Sequence, residues 1–587
     1  MSKKQTLLFL GIIVIAVFFR LFLIGEMPGG LFPDEAANGL DINLMEQGHL
    51  QPFYERGNGR EGLFFYFIWS MVKLLGRSPI AHHVTSALIG IASVIGCFLL
   101  THKLFQLPWN TGDLDETEHK RKEATVIALL ASFIMAASSW HIVLSRTAFR
   151  ANLIPLFTTF TFYFFLRVVA AKTQGQKYFW SAVSGATFAL GFYSYIAYRV
   201  MIPIVIALLL WPLLASLCTK PRLLLFKKYL PLALCAGLVF VIFIFPLGKY
   251  FYTHPGAFIG RSGQVSVFNP ELNGGNLLAA VGEVTKQSLL GYFTQGDLNW
   301  RHNISGYPFL SPIISPFFGL GLVLVTLLAA RYFFRPVKHA EDYGYFLLAG
   351  WFWGMLLPVV TTAEGIPHGL RAIGTIPAVY IISAWMLYAL SSRAWIFVDL
   401  CKQWVVLWKL KLMKAGLYAV LIAFIFALPL ETYNLYFVYA YNSPENFYSF
   451  RTDLTTVSTY LKEHGNRNNT YLVLDTFSVQ TVDYLTTIDG KTSCDRDPAY
   501  RPITCVDDPK NKPYIQVDPE DSWKATTAKK NGELIWLHGL DSGDKIVFAQ
   551  SSIFDIKKFK AFHPQARLEL EVRNKFGQAV LAVYEIQ

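Results

Sequence analysis

Residues 3 to 26 read KKQTLLFLGIIVIAVFFRLFLIGE. A basic start is followed by an apolar run that only Arg20 interrupts, and about 20 apolar residues are what a helix needs to cross a hydrocarbon core. No small-residue cleavage site follows, so the segment is expected to stay as a first helix rather than leave as a signal peptide. The same pattern recurs along the chain. Counting from the first, runs near 7–25, 80–101, 124–142, 151–170, 179–196, 198–217, 229–248, 312–334, 343–361, 370–390 and 415–431 are long and apolar enough to span. The composition agrees: 53% hydrophobic and 16% charged residues with a mean hydropathy of +0.37 describe a chain whose main solvent is lipid. The expected fold class is an α-helical polytopic membrane protein with about eleven transmembrane helices.

Charge sets the expected orientation. The net charge is +12, but Lys and Arg lie in short clusters between apolar runs rather than along one basic face, which argues for membrane topology and against nucleic acid. With the N-terminus in the cytoplasm, Lys3, Lys4, Lys103, Lys120, Arg121, Lys122, Lys172, Lys177, Arg335 and Lys338 fall on the inner side, as the positive-inside rule requires. The stretch 394–411, rich in Trp and Lys, reads as a helix lying at that interface. The opposite face carries two long loops, 26–79 and 249–311, and long ordered loops usually carry function. The domain division expected is a membrane domain over 1–435 that includes both loops, then a soluble C-terminal domain over 440–587 outside the cytoplasm. Candidate strands at 470–475, 545–550, 566–572 and 579–586, with helices near 451–464 and 554–561, make that domain a small α/β unit. Cys494 and Cys505 bracket a polar loop there and, on an oxidising face, are placed to form a disulfide. The expected location is the inner (plasma) membrane, crossed many times.

The outer face holds the residues that could carry chemistry. Pro33-Asp34-Glu35 precedes a helix-forming run, so Asp34 is expected at a helix start, where the positive dipole end favours the ionised carboxylate. Spacings of four and seven put Asn38 and Asp41 on its face. A carboxylate held at the membrane boundary can accept a proton from an attacking hydroxyl, or can simply cap a loop helix. Arg146 and Arg150 stand four residues apart after the third span, where two guanidinium forks could grip one phosphate or reach toward lipid headgroups. Two further segments, Gly296 to Asn303 and Glu364 to Ala372, bring Arg301, His302, His368 and Arg371 to the same lip of the bundle, and Arg60 with Glu61 in the first loop extends the set. Ionisable groups at membrane depth are costly unless paired or facing a wet cavity, so this clustering points to a shared polar site. Adjacent His82 and His83 cannot both face one site from a helix. No phosphate-binding glycine loop, dinucleotide fingerprint or H-E-x-x-H motif occurs; no metal-ligand set is assigned, and a divalent metal is left open.

Pro33-Asp34-Glu35, the stretch from Trp140 to Ala151, the Gly296 to Asn303 motif, and His368-Gly369-Leu370-Arg371-Ala372 before a helix with Pro377 together resemble bacterial glycosyltransferase superfamily C. The likeness is to family 39, the protein O-mannosyltransferase and aminoarabinose transferase-like group, and it covers about residues 5 to 435. Where many relatives carry a His-Pro-Pro-like element in the first loop, this chain has Gly59-Arg60-Glu61-Gly62-Leu63, which leaves the sugar and acceptor open. The resemblance implies inverting transfer of a sugar from a polyprenyl-phosphate donor to a hydroxyl of a glycan, lipid or protein. Asp34 would be the general base, with Glu35 beside it orienting Asp34 or the acceptor. Arg146, Arg150 and Arg371 would hold the departing phosphate, and Arg60, Glu61, Arg301, His302 and His368 would contact substrate. The alternative is a transporter or flippase of lipid-linked glycans, for which internal repeats would be expected and none is visible.

Overall fold

The computed structural model describes residues 2–106, 114–217, 222–259, 266–335, 342–401, 407–487, 512–517, 529–530, 533–534 and 540–587. Among them, eight helices are long and apolar enough to cross a membrane: Lys3–Leu21, Pro79–Leu104, Arg150–Ala170, Tyr229–Thr253, Ser315–Phe334, Tyr343–Val360, Arg371–Leu400 and Trp408–Ala440. A bent pair, Glu118–Ala137 and Ser139–Arg146, makes a ninth span if its two halves are joined. The bend of 58° falls where Ser138 leaves helical geometry (φ −84°, ψ 127°).

All eleven apolar runs are helical. The two that miss the length and hydropathy criterion are Gln174–Gly191, which opens on Gln and Lys, and Met201–Leu217. The segment 394–411 is not a separate interfacial helix. Its first residues continue the helix Ile376–Leu400 and its last ones begin Leu407–Tyr433, while residues 402–406 lie outside the described part. The Trp and Lys residues that suggested a surface helix therefore sit at the ends of two long ones, where interfacial side chains are also favoured.

The chain divides into two compact units, one of residues 1–22 and 86–440, the other of 23–85 and 441–587. The first is the helical membrane unit. Its centre is apolar, with Trp351, Tyr380, Phe318 and Tyr292 fully buried. The second joins the segment 23–85 to the C-terminal domain. It contains helix Pro33–Glu46, whose Ala36 and Leu40, with Leu31 just before the helix, pack against Tyr484 and Leu485 of helix Val479–Thr486. The Thr481 hydroxyl donates to the Leu31 carbonyl at 3.0 Å. A Cβ on Gly39 would stand 2.4 Å from the Tyr484 ring, so glycine is what lets these helices meet.

Nine strands are described: β1 (Phe53–Tyr54), β2 (Arg60–Glu61), β3 (Thr470–Val473), β4 (Ile515–Val517), β5 (Lys529–Lys530), β6 (Glu533–Leu534), β7 (Lys545–Ala549), β8 (Arg567–Arg573) and β9 (Ala579–Glu585). Strands β1 and β2 form an antiparallel hairpin within the first loop, with Tyr54 opposite Arg60. The main sheet has the order β4-β3-β7-β9-β8, with β3 parallel to β4 and β7, and β9 antiparallel to β7 and β8. Alternate side chains divide between its faces. Leu472, Val547, Leu581 and Val583 meet Leu454, Val457 and Leu461 of helix Thr452–His464 on one face. Tyr471, Val473, Ile546, Phe548 and Tyr584 meet Phe559 on the other. All four strands and both helices expected from sequence are present; Cys494 and Cys505 lie outside the described residues.

Candidate active site

The acidic motif folds as its spacing requires. Helix Pro33–Glu46 begins with proline at its first position, and Asp34 is its second residue, with 49% of its side-chain surface exposed. Carboxylates in a first turn gain from the helix dipole. Arg60, almost wholly buried, crosses from β2 to this turn. Its Nη1 donates to the Asp34 carbonyl at 3.0 Å and to Asn38 Oδ1 at 3.1 Å, and its Nη2 stands 3.5 Å from Asp34 Oδ1. One guanidinium thus ties together positions i and i+4, so Asn38 does share the Asp34 face. Asp41, one turn further on, is buried and accepts from Arg56 Nε at 2.9 Å.

Glu35 sits differently from its expected place beside the base. It is 1% exposed, and its carboxylate folds back to accept the Phe32 N–H at 3.0 Å, with His83 Nε2 3.7 Å away. At the third helical position an acidic side chain closes the capping box, and that backbone bond claims it. His82 turns the other way, to the Tyr484 hydroxyl at 3.0 Å. The two histidines therefore have separate partners, as helical geometry demands. Glu61 is buried on β2 opposite Phe53.

In the membrane unit three separate stretches meet. Trp140 stacks on Phe309 at 4.7 Å, and Phe149 lies 5.5 Å from the His302 ring. The Thr147 hydroxyl donates to the Arg301 carbonyl at 3.3 Å. Gly369 is packed so tightly that a Cβ would fall 3.0 Å from the His302 carbonyl and 3.3 Å from Trp140 Nε1. The indole nitrogen is buried with no hydrogen-bond partner among the described residues. The loop is moored at its far end by Glu431, which accepts from the hydroxyls of Tyr307 and Ser311.

At the centre of this meeting is Asp297, a residue the sequence displayed but did not single out. Its Oδ1 accepts the Asn299 N–H at 2.8 Å, and its Oδ2 accepts the Gly369 N–H at 2.8 Å. His302 Nδ1 is 2.9 Å and His368 Nδ1 3.7 Å from the same Oδ2, and the two imidazole rings stack at 4.7 Å. Burial lowers the pKa of His302, against the pull of the Asp297 hydrogen bond and charge. The signal available in sequence was an acid five residues before a histidine within one loop.

The arginines occupy three environments. Arg146 is fully buried; its Nη1 donates to the Phe19 carbonyl at 3.0 Å and its Nε to the Tyr436 hydroxyl at 3.2 Å. Arg150 is half-buried, its guanidinium 5.2 Å from the Tyr195 ring. The helix ends at Arg146, because Thr147 is extended (ψ 134°), and Arg150 opens a separate short turn. The two are therefore not one turn apart on a single helix. Arg371 donates from Nη1 to the Glu364 carbonyl at 2.6 Å and stands 3.4 Å from its carboxylate.

A cleft of about 680 Å³ lies elsewhere, lined by His102, Lys103, Tyr163, Arg167, Lys172 and Trp180 among others. Helix Leu153–Ala170, 18 residues long and so about 27 Å from end to end, separates it from Arg150. Its size does not make it the site: the polar groups that converge are at the other end.

No family model matches the chain, and no curated protein matches it in sequence. Solved structures do. ArnT from Cupriavidus metallidurans, bound to undecaprenyl phosphate, aligns with a TM-score of 0.49 and 10% identity over 99% of this chain and 98% of that one. The archaeal oligosaccharyltransferase AglB from Archaeoglobus fulgidus, in complex with an inhibitory peptide and a dolichol-phosphate, aligns with a TM-score of 0.51 and 11% identity over 100% of this chain and 74% of that one. At such identity the AglB alignment speaks to architecture alone, and it spans the whole of this chain. The chain shares the fold of this archaeal oligosaccharyltransferase structure.

Proposed function

We propose that the chain transfers a sugar from a polyprenyl-phosphate donor to an acceptor hydroxyl on the outer face of the membrane, with Asp34 as general base. The observation that carries this reading is the state of Asp34. It is a half-exposed carboxylate at a helix start, held by a buried arginine, in a chain with a glycosyltransferase fold. Most other acids of that helix have a buried structural task, whereas Asp34 has an open side toward which a hydroxyl can come.

The reaction is a single displacement. The acceptor oxygen attacks the anomeric carbon as its proton passes to the Asp34 carboxylate, and the bond from that carbon to the phosphate oxygen breaks with inversion. The Arg60 contact holds the Asp34 turn in place. Charge grows on the departing polyprenyl phosphate, which in this reading Arg150 and Arg371 would hold. Arg146, being buried, acts through its positive field and by fixing Tyr436. Arg301, His302 and His368 would contact donor or acceptor, and Glu61 would hold the strand that carries Arg60. The N-terminus lies in the cytoplasm and the C-terminal domain outside, in the plasma membrane. The donor's lipid tail enters from the bilayer, and the acceptor is a glycan, lipid or protein.

The test is turnover by purified full-length chain in nanodiscs, supplied with a polyprenyl-phosphate sugar labelled in the sugar. Release of free polyprenyl phosphate that an Asp34→Asn variant fails to catalyse supports the reading. Movement of intact donor between leaflets without cleavage would instead make the protein a transporter.

A further inference from the structure

Asp297, His302 and His368 each present one ligand atom, and the three atoms lie within 4.8 Å of one another. They come from two segments about 66 to 71 positions apart in the chain, and the Gly369 N–H bond to Asp297 already clamps those segments together. A metal about 2.0 to 2.2 Å from each ligand needs ligand atoms roughly 3 to 3.5 Å apart. The separations to Asp297 Oδ2, 2.9 Å from His302 Nδ1 and 3.7 Å from His368 Nδ1, bracket that range. Small side-chain movements are all the fit requires.

We infer that Asp297, His302 and His368 form a divalent metal site of the Zn²⁺ class. Two imidazoles and one carboxylate select a transition metal over Mg²⁺ or Ca²⁺, which take oxygen ligands. Binding asks for neutral imidazoles with their Nδ1 lone pairs free. The proton that His302 Nδ1 shares with Asp297 Oδ2 at 2.9 Å moves to Nε2 or to solvent as the metal enters, and the Arg371 backbone N–H points at His368 Nδ1 from 3.4 Å, which marks that nitrogen as an acceptor. Arg301 and Arg371 stand close enough to act on His302, and their charge weakens affinity while the single carboxylate offsets part of it. Three protein ligands leave at least one position open. His368 keeps 15% of its side-chain surface exposed, so that position faces accessible space and can take a water or a phosphate oxygen. The second shell is in place: the Asn299 and Gly369 N–H groups fix the carboxylate, as outer partners do in metal sites.

The experiment needs no substrate. Full-length chain in nanodiscs is stripped with chelator, then titrated with Co²⁺ and with Zn²⁺, following the Co²⁺ absorption bands, bound metal per chain and melting temperature. The expected result is one tight metal per chain, visible Co²⁺ bands, and a rise in melting temperature. Since outer-sphere partners alone are worth 10- to 100-fold in affinity, His368→Ala, which removes a ligand, should weaken binding about 100-fold or more. Asp297→Asn should do the same while retaining the Asn299 and Gly369 contacts in part. His368 is at the surface of the cluster, so its replacement tests the site even if Asp297→Asn fails to fold. Wild-type chain without Co²⁺ bands, or with binding unchanged in both variants, overturns the assignment. Metal binding without sugar transfer would leave this site standing and remove the transferase reading alone.

Discussion

Replacing Arg60 with Met tests whether one guanidinium sets the shape of the Asp34 turn. Arg60 is 4% exposed and lies within the second compact unit. Methionine has similar length, so little cavity forms and the loss is mainly polar. The Asp34 carbonyl keeps its place in the helix ladder, but Asn38 Oδ1 loses the charged Arg60 donor at 3.1 Å. A buried acceptor deprived of a charged donor costs about 2–3 kcal/mol. The carboxylate contact at 3.5 Å is half exposed and adds at most about 1 kcal/mol. Helix Pro33–Glu46 should therefore open more readily by about 2–4 kcal/mol, which at 1.4 kcal/mol per decade is roughly 30- to 700-fold faster amide exchange. Hydrogen-exchange mass spectrometry on peptides spanning residues 33–46 reads this directly. Arg60→Lys, which keeps charge but not the planar fork, should fall between wild type and Met. Exchange within threefold of wild type in Arg60→Met would refute the account of how Asp34 is held.

Three further expectations follow from the packing. Gly39→Val drives a side chain into the Tyr484 ring, whose nearest atom is 2.4 Å from the Cβ position; unfolding should fall by about 1–3 kcal/mol, and Tyr484→Ala in the same chain should recover part of it. Asp453→Ala leaves Arg451, which is 7% exposed and bonded to both Asp453 oxygens at 3.0 and 3.1 Å, with the Ser478 and Ser551 hydroxyls as its side-chain hydrogen-bond partners among the described residues. Removing one partner of a buried pair costs about 3–5 kcal/mol, which thermal unfolding of the full chain should register. Gly369→Ala crowds the His302 carbonyl and Trp140; Co²⁺ affinity should drop at least tenfold while the melting temperature of metal-stripped chain changes by only a few degrees.

How far the sequence could be read depended on the range of the interaction. Local signals came through: the apolar runs are helices, the alternating C-terminal runs are strands, and Pro33-Asp34-Glu35 opens a helix. Competition for a side chain did not. Glu35 was expected beside the base, but the orphan Phe32 N–H at the helix start captures it. Arg146 and Arg150 have helical spacing in sequence, yet Ser138 and Thr147 interrupt the backbone on either side of a two-turn helix. Contacts across long sequence separations were invisible to periodicity. Nothing in Leu31, Gly39 or Leu40 announces Tyr484, and nothing in Asp297 announces Gly369 and His368. Asp297 lies inside the Gly296 to Asn303 stretch, where a lone acid in a polar loop ordinarily caps a turn.

The central claim is that this chain cleaves a sugar from a lipid phosphate and that Asp34 takes the acceptor's proton. Single-turnover assay of the wild type and Asp34→Asn in nanodiscs, with matched folding by hydrogen exchange, tests it most directly. The account predicts polyprenyl phosphate released by the wild type and a rate at least 100-fold lower in the variant, the lower end of what a general base contributes. Equal rates in the two proteins, or a donor left intact by both, would contradict it.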